Sequence, residues 1–212
     1  MVKEGYTFSA GPLILGAVLL ALGWKWAGGG LLFLGAFVLF FFRDPERQPP
    51  PDQDAVVSPA DGRIAAIVEE EFEGRTGKRV SIFLSVWDVH VNRAPVAGRI
   101  RTVEYRPGRF YAAMRARASQ ENEQNVFTVE TDRGVMAFKQ IAGAIARRVV
   151  SWKSPGDVVA TGERIGMIRF GSRMDVWMPP EAEIVVEKGK FVAAGSSVLA
   201  RWPRNAGTER KP

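Results

Sequence analysis

Two almost wholly apolar runs, residues 12–23 and 31–42, open the chain, separated by Trp24-Lys25-Trp26-Ala27-Gly28-Gly29-Gly30. Each run of 12 residues makes a helix of only ~18 Å, against ~30 Å for the hydrocarbon core of a bilayer. One continuous helix through both would be long enough, but a lysine and three consecutive glycines at its middle make it costly. The pattern predicts a helical hairpin dipping into one leaflet, with a pair of thin spans as the alternative. Trp24 and Trp26 suit the lipid–water boundary, although they fall at the turn of such a hairpin. Arg43 and Arg47 follow the second run and would hold its end on the cytoplasmic side. A cleaved signal peptide fits poorly, because Arg43-Asp44-Pro45-Glu46-Arg47 stands where a small-residue cleavage site belongs. The proline-rich stretch over 45–52 is too stiff for helix and poor in sheet donors, so a soluble domain should begin near Asp54.

The rest of the 212 residues carries ordinary globular composition, with 46% hydrophobic and 25% charged residues overall. The absence of cysteine excludes disulfides, thiolate metal sites and a cysteine nucleophile, and a single histidine excludes a multi-histidine metal centre. A net charge of +6 favours anionic partners. Short β-branched runs at 63–68, 79–85, 99–105, 126–131 and 144–150 read as strands, and 109–117 as one helix. There is internal repetition. Gly156-Asp157-Val158-Val159-Ala160-Thr161-Gly162 matches Gly189-Lys190-Phe191-Val192-Ala193-Ala194-Gly195, 33 residues later, and Pro59-Ala60-Asp61-Gly62-Arg63-Ile64 echoes Pro95-Val96-Ala97-Gly98-Arg99-Ile100. Paired glycines let short strands turn sharply and rejoin a sheet. The expected fold is mainly β (α+β): a compact sandwich or barrel-like domain of short strands, with glycine turns like those of biotinyl and lipoyl carriers, behind an N-terminal apolar helical hairpin.

Four features can carry chemistry. Alternation along a strand would place Asp88, His90 and Asn92 on one face, and a carboxylate beside an imidazole makes it a better base. Asp61 sits in an Asp-Gly turn fixed by Pro59, and matters chemically only if it meets His90 in space. Gly171-Ser172 joins two strand-like runs, whereas Gly195-Ser196 belongs to the repeated turn. Finally, Arg101, Arg106, Arg109, Arg115 and Arg117, with Glu104 as the only acid among them and Arg147, Arg148 and Lys153 later, form a basic stretch suited to phosphate or an anionic leaflet. No nucleic-acid-binding module is visible.

Taken together, Phe42-Arg43-Asp44-Pro45-Glu46-Arg47, Ser58-Pro59-Ala60-Asp61-Gly62-Arg63-Ile64, Asp88-Val89-His90-Val91-Asn92-Arg93-Ala94-Pro95, Asn122-Glu123 and Phe170-Gly171-Ser172 resemble, in order, the phosphatidylserine decarboxylases of the short, pyruvoyl-dependent type. The resemblance implies a membrane hairpin at 1–47, a linker at 48–53 and a catalytic domain at 54–212. It implies a proenzyme that cuts itself between Gly171 and Ser172 into chains 1–171 and 172–212, which stay together as a heterodimer. Ser172 becomes the pyruvoyl group, aided by Asp61 and His90, and forms a Schiff base with phosphatidylserine that releases carbon dioxide and phosphatidylethanolamine. No metal or diffusible cofactor is implied. Longer members carry a second histidine where this chain has Arg93, and the family's Asn-Glu-Arg stands here as Asn122-Glu123-Gln124. Arg109 and Arg115 could grip the phosphodiester, with Asn122 and Glu123 also in the substrate site. The expected setting is the cytoplasmic face of the cell membrane, peripheral or monotopic, on an anionic surface, without nucleic acid, and with a homo-oligomer possible. The rival readings are a membrane-tethered biotinyl-like carrier or adaptor and a pyruvoyl decarboxylase of a soluble amino acid.

Overall fold

In a computed structural model, residues 1–115, 117–144, 148–169 and 172–203 are described. The apolar front folds as two antiparallel helices, α1 (Lys3–Ala21) and α2 (Lys25–Phe41). They reverse at Gly23, whose φ is +85°, and close at their base where the Val2 N–H donates to the Phe42 carbonyl at 3.3 Å. With 19 and 17 residues they are ~28 and ~26 Å long, more than the two apolar runs predict. The added length comes from residues 3–11, and from Lys25 and the three glycines forming the first turns of α2. Those glycines do not interrupt a helix. A Cβ on Gly28 would lie 2.8 Å from the Gly16 carbonyl oxygen, and one on Gly35 would lie 2.6 Å from Leu13, so glycine lets the helices approach closely. By length and composition α1 can cross a membrane. Ile14, Leu15, Leu22, Phe33 and Leu34 are exposed around the pair.

The remainder is mainly β. Its first half-unit starts with β1 (Ala55–Val57), β2 (Gly62–Phe72) and β3 (Arg75–Leu84). The chain then makes a second unit from β4 (Val91–Arg93), β5 (Gly98–Arg106), a short α3 (Ala118–Glu121), β6 (Gln124–Thr131), β7 (Gly134–Ala142), β8 (Val149–Ser151), β9 (Val158–Val159) and β10 (Arg164–Ile168). It returns to finish the first with β11 (Ser172–Met178), β12 (Glu183–Ile184), β13 (Phe191–Val192) and β14 (Val198–Arg201). Eight strands in the order β13-β2-β3-β11-β7-β6-β5-β9 form a sheet curled as a half-barrel, and β1-β14-β12 and β4-β10-β8 form two small sheets. One core joins all three, including Val56, Ile64, Ile82, Phe127, Phe138, Ile165, Val176 and Leu199.

The strand order reads the same from both ends once each element is matched to its counterpart, and the sequence repeats mark the match. Val159 and Val158 pair with Gly98 and Arg99, while Val192 and Phe191 pair with Gly62 and Arg63. Arg99 donates to the Gly156 carbonyl at 2.9 Å and Arg63 to the Gly189 carbonyl at 3.1 Å. Gly156, Gly162, Gly189 and Gly195 all have φ between +71° and +96°, a region where a side chain is strained. The molecule is thus two similar units, with the second, 91–168, inserted between β3 and β11 of the first. In the inserted unit β6 and β7 meet through a tight turn, Thr131 opposite Gly134. In the first unit the corresponding turn is opened: Leu84 pairs with Ser172, and the chain leaves through 85–90 and comes back through 169–171.

Two expected elements differ. The 109–117 segment is not a helix; its backbone instead pairs with the residues around Asn122, through Arg109 N–H to Glu121 O at 2.7 Å and Glu123 N–H to Arg109 O at 3.0 Å. Helix begins only at Ala118. The expected strand at 144–150 is reduced to β8, with Ala144 outside it; Arg147 of the basic stretch lies outside the described residues.

Candidate active site

Ser172 opens β11 between two neighbours, opposite Leu84 on one side and Ala142 on the other. Alternation turns it to the same face as the core residues Met174, Val176 and Met178. It is fully buried, and its Oγ has no hydrogen-bond partner among the described residues. A buried hydroxyl normally finds one. Gly171 and Phe170 lie outside the described residues. On the opposite face of β11, Arg173 and Asp175 form a buried ion pair at 2.7 Å, with Ser81 held by Arg173 and Ser119 by Asp175. This pair fixes the strand that presents Ser172.

His90 ends the outgoing connection, as Ser172 ends the returning one. The end of β10 touches the outgoing connection, with the Ile168 N–H donating to the His90 carbonyl at 3.2 Å. Asp88 and His90 do not share a strand face, because Asp88 lies in a turn before β4. Its carboxylate accepts from the Ser85 N–H and hydroxyl at 2.7 and 2.8 Å, and it is the Asp88 backbone carbonyl that lies 2.9 Å from His90 Nδ1. A carbonyl only accepts, so Nδ1 carries the proton and Nε2 presents its lone pair. Nε2 is buried and has no hydrogen-bond partner among the described residues. The ring lies 4.2 Å from that of Phe41 at the end of α2, and burial lowers its pKa to about 4, against the opposing pull of the Asp88 carbonyl. The imidazole is therefore neutral at pH 7 and in the tautomer a base requires. Asn92 turns its amide oxygen to Gln140 at 2.9 Å and leaves its Nδ2 unpartnered.

Asp61 does not hydrogen-bond His90. Its carboxylate accepts from the Ala194 N–H at 2.8 Å and from Arg47 at 2.9 and 3.2 Å. Burial raises its pKa, the Ala194 N–H and Arg47 pull it down, nearby Asp88 raises it and Arg43 lowers it. Asp88 and Arg43 are also felt by His90, so the two groups share one electrostatic neighbourhood. The segment after α2 organises it. Arg43 donates to the carbonyls of Phe40 and Trp87, Asp44 bonds Arg93 at 3.1 Å and Arg164 at 2.6 Å, and Glu46 bonds Arg164 at 2.8 Å. Arg93, the position of the family's second histidine, is buried in this lattice with its guanidinium on Gly162 O, Pro45 O and Asp44. Spacing alone could not reveal contacts spanning 14 to 120 residues; the density of alternating charges in 43–47 was the available signal.

Asn122 is buried with both ends of its amide in use: Nδ2 donates to Tyr111 O at 2.8 Å and Ala142 O at 2.7 Å, and Oδ1 accepts from the Tyr111 N–H at 2.9 Å. It clamps the 109–115 segment to the strand end opposite Ser172. Glu123 is buried beside it and accepts from the Val149 N–H at 3.3 Å. Arg109 is exposed, donating to the Tyr111 hydroxyl at 2.7 Å, and Arg115 is exposed nearby. Among the described residues no group of three metal-ligating side chains occurs.

The profile of the phosphatidylserine decarboxylase family matches residues 34–200, from the last turns of α2 to β14. A phosphatidylserine decarboxylase proenzyme of Solibacter usitatus (strain Ellin6076) is 54% identical over 171 residues, covering 81% of each chain. The chain belongs to the phosphatidylserine decarboxylase family.

Proposed function

We propose that Ser172 is the serine this proenzyme converts, that the chain cuts itself between Gly171 and Ser172, and that His90 and Asp61 assist. Family membership sets aside the carrier and soluble-amino-acid readings: the chain is a carboxy-lyase that converts phosphatidylserine to phosphatidylethanolamine, with a pyruvoyl cofactor derived from serine. The observation that carries the site assignment is that Ser172 Oγ and His90 Nε2, at the two ends where the inserted unit joins the first, are both buried without a hydrogen-bond partner among the described residues.

Self-cleavage starts when Ser172 Oγ attacks the carbonyl of residue 171, and the hydroxyl proton needs a base. Neutral His90 supplies one through Nε2, while its Nδ1–H stays fixed on the Asp88 carbonyl. Asp61, anchored by Arg47 and the Ala194 N–H, shares the Asp88 and Arg43 charges with His90, and it is the Asp88 charge that favours an imidazolium there. The ester then opens by elimination across Ser172, leaving a carboxylate on Gly171, and water replaces ammonia at the new terminus. The pyruvoyl group so made is an electron sink for the pair released as carbon dioxide leaves. In turnover His90 holds a proton for the substrate α-carbon, Arg109 and Arg115 hold the phosphodiester, and Asn122 and Glu123 hold the 109–115 segment in place.

Chains 1–171 and 172–212 stay joined without the peptide bond. β11 is hydrogen-bonded on both sides, β13 pairs with β2 and β14 with β1. The two helices (1–47) are the membrane anchor, monotopic or peripheral on the cytoplasmic face and drawn to anionic lipid, residues 48–53 the linker, and 54–212 the catalytic domain, with biotinyl-like paired glycine turns and the capacity for homo-oligomers. Ser172→Ala tests the assignment on a denaturing gel: it should remain one uncut, inactive chain, while Ser196→Ala cuts normally. Cleavage persisting in Ser172→Ala would remove the cut from this bond.

A further inference from the structure

Beside Ser172, a cleft of about 260 Å³ opens between the end of β3 and the 112–114 segment. Its walls are Phe83, Leu84 and Val86 on one side and Ala112, Ala113 and Met114 on the other, with Ser85 supplying the one hydroxyl. Leu84 is the register partner of Ser172. The residue after Val86, Trp87, is exposed and packs edge-on against Phe37 of α2 at 5.8 Å, with Phe40 at 6.3 Å. Arg43 ties the Trp87 carbonyl to the end of that helix. On the far wall Met114 is 72% exposed. Trp87, next in sequence to Val86 of the cleft wall, thus stands between the exposed apolar surface of the helical pair and a cleft that includes the register partner of Ser172. Arg109 and Arg115 lie on the same segment as its far wall. A second cavity of about 520 Å³ is lined by Glu70, Glu71, Glu73 and Glu104 together with Arg106 and Lys139, which pair with Glu104 and Glu70, so its lining is charged and not apolar.

We propose that this cleft is a binding site for the first methylenes of one acyl chain of the phospholipid substrate, entered from the bilayer past Trp87. The inference rests on the assignment of Ser172. Its physical basis is that a lipid lifted into water exposes its chain, whereas one sliding along a continuous apolar wall does not. The headgroup then reaches Ser172 while the remaining chain stays in the membrane, and the arginines at the far wall meet the phosphodiester.

The experiment compares kcat/KM for dioleoyl phosphatidylserine with that for diacetyl phosphatidylserine, which has no acyl methylenes, in mixed micelles, using the self-cleaved full-length enzyme and its Ala112→Trp variant. Ala112 is exposed on the cleft wall, where an indole adds bulk. Extent of self-cleavage on a gel reports folding. The long-to-short-chain ratio should fall at least about tenfold in the variant, the loss expected when two or three methylenes lose their site. A self-cleaved variant with the wild-type ratio would overturn the proposal. Wild-type enzyme carrying a diazirine-labelled acyl chain gives an answer independent of the variant's folding. Adducts at 83–87 or 110–115 support the cleft, and adducts confined to other segments overturn it. Failure of the wild-type protein to use either lipid would instead count against the proposed function.

Discussion

The two units of the β-domain share a framework and differ in what they carry. Gly62 and Gly98 stand at matching positions, where a Cβ would lie 2.2 Å from the Phe83 carbonyl oxygen in one case and 2.4 Å from that of Glu130 in the other. Both are demands of the framework. Asp61 in the first unit is matched by Ala97 in the second, and the Ala194 N–H that Asp61 holds is matched by Thr161. Ala97 and Thr161 line a cavity of about 380 Å³ without a helical pair over it. The tight turn at 131–134 of the inserted unit is replaced in the other by the two connections that carry His90 and Ser172. Chemistry belongs to the places where the symmetry is broken, and glycine pattern to the places where it is kept.

Ways to break that contrast run from large effects to small. Loss of the Ser172 hydroxyl abolishes cleavage and turnover together, as stated above. His90→Ala should slow self-cleavage by about 10²–10⁴-fold, the range for a positioned acid–base group, measured as the half-life of the uncut chain. Its folded pKa of about 4 lies below the ordinary imidazole value of 6.5, so between these pH values the unfolded chain binds the proton more readily. Stability from neutral His90 is full above about pH 6.5 and is lost as pH falls towards 4. The rate should be insensitive to pH between 6 and 8, and a rate falling below pH 6.5 as a simple titration would contradict the buried neutral imidazole. Asp61→Asn should impair processing, while Ala97→Asp in that variant should restore nothing; rescue would mean that the framework and not the broken symmetry defines the site. Arg47→Gln removes a charge that lowers the Asp61 pKa against burial, so the acid limb of the processing rate should move to higher pH, with Arg47→Lys in between. A limb unchanged in Arg47→Gln would detach Asp61 from the rate. Smallest, Arg109→Ala with Arg115→Ala should raise KM for phosphatidylserine about tenfold, the magnitude of one or two exposed charge-assisted contacts, and leave self-cleavage intact; unchanged lipid turnover would remove both from the site.

Much of the symmetric part was legible in the amino-acid order. The heptapeptides 33 residues apart mark β9 and β13, and the helical pair follows from its apolar runs. What was not legible depended on partners distant in the chain. Residues 109–117 have helical propensity, but the Asn122 side chain satisfies both the N–H and the carbonyl of Tyr111, replacing helical bonds with tertiary ones. Alternation placed the Asp88 carboxylate beside His90, whereas a turn gives the ring its backbone carbonyl instead. Of the glycines that look like helix breakers between the apolar runs, Gly28 is a close contact of the two helices, while Gly29 and Gly30 stand inside α2 with open space beside them. Asp61 was visible as an Asp-Gly turn, but its ion pair with Arg47 exists only because the hairpin base docks on the β-domain.

Intact mass spectrometry of the purified, active protein tests the central claim most directly. Two polypeptides are expected, one ending at Gly171 and one beginning at position 172, the smaller lighter by one ammonia than a fragment starting with free serine. Full activity in a single 212-residue chain with an unmodified Ser172 would contradict the account.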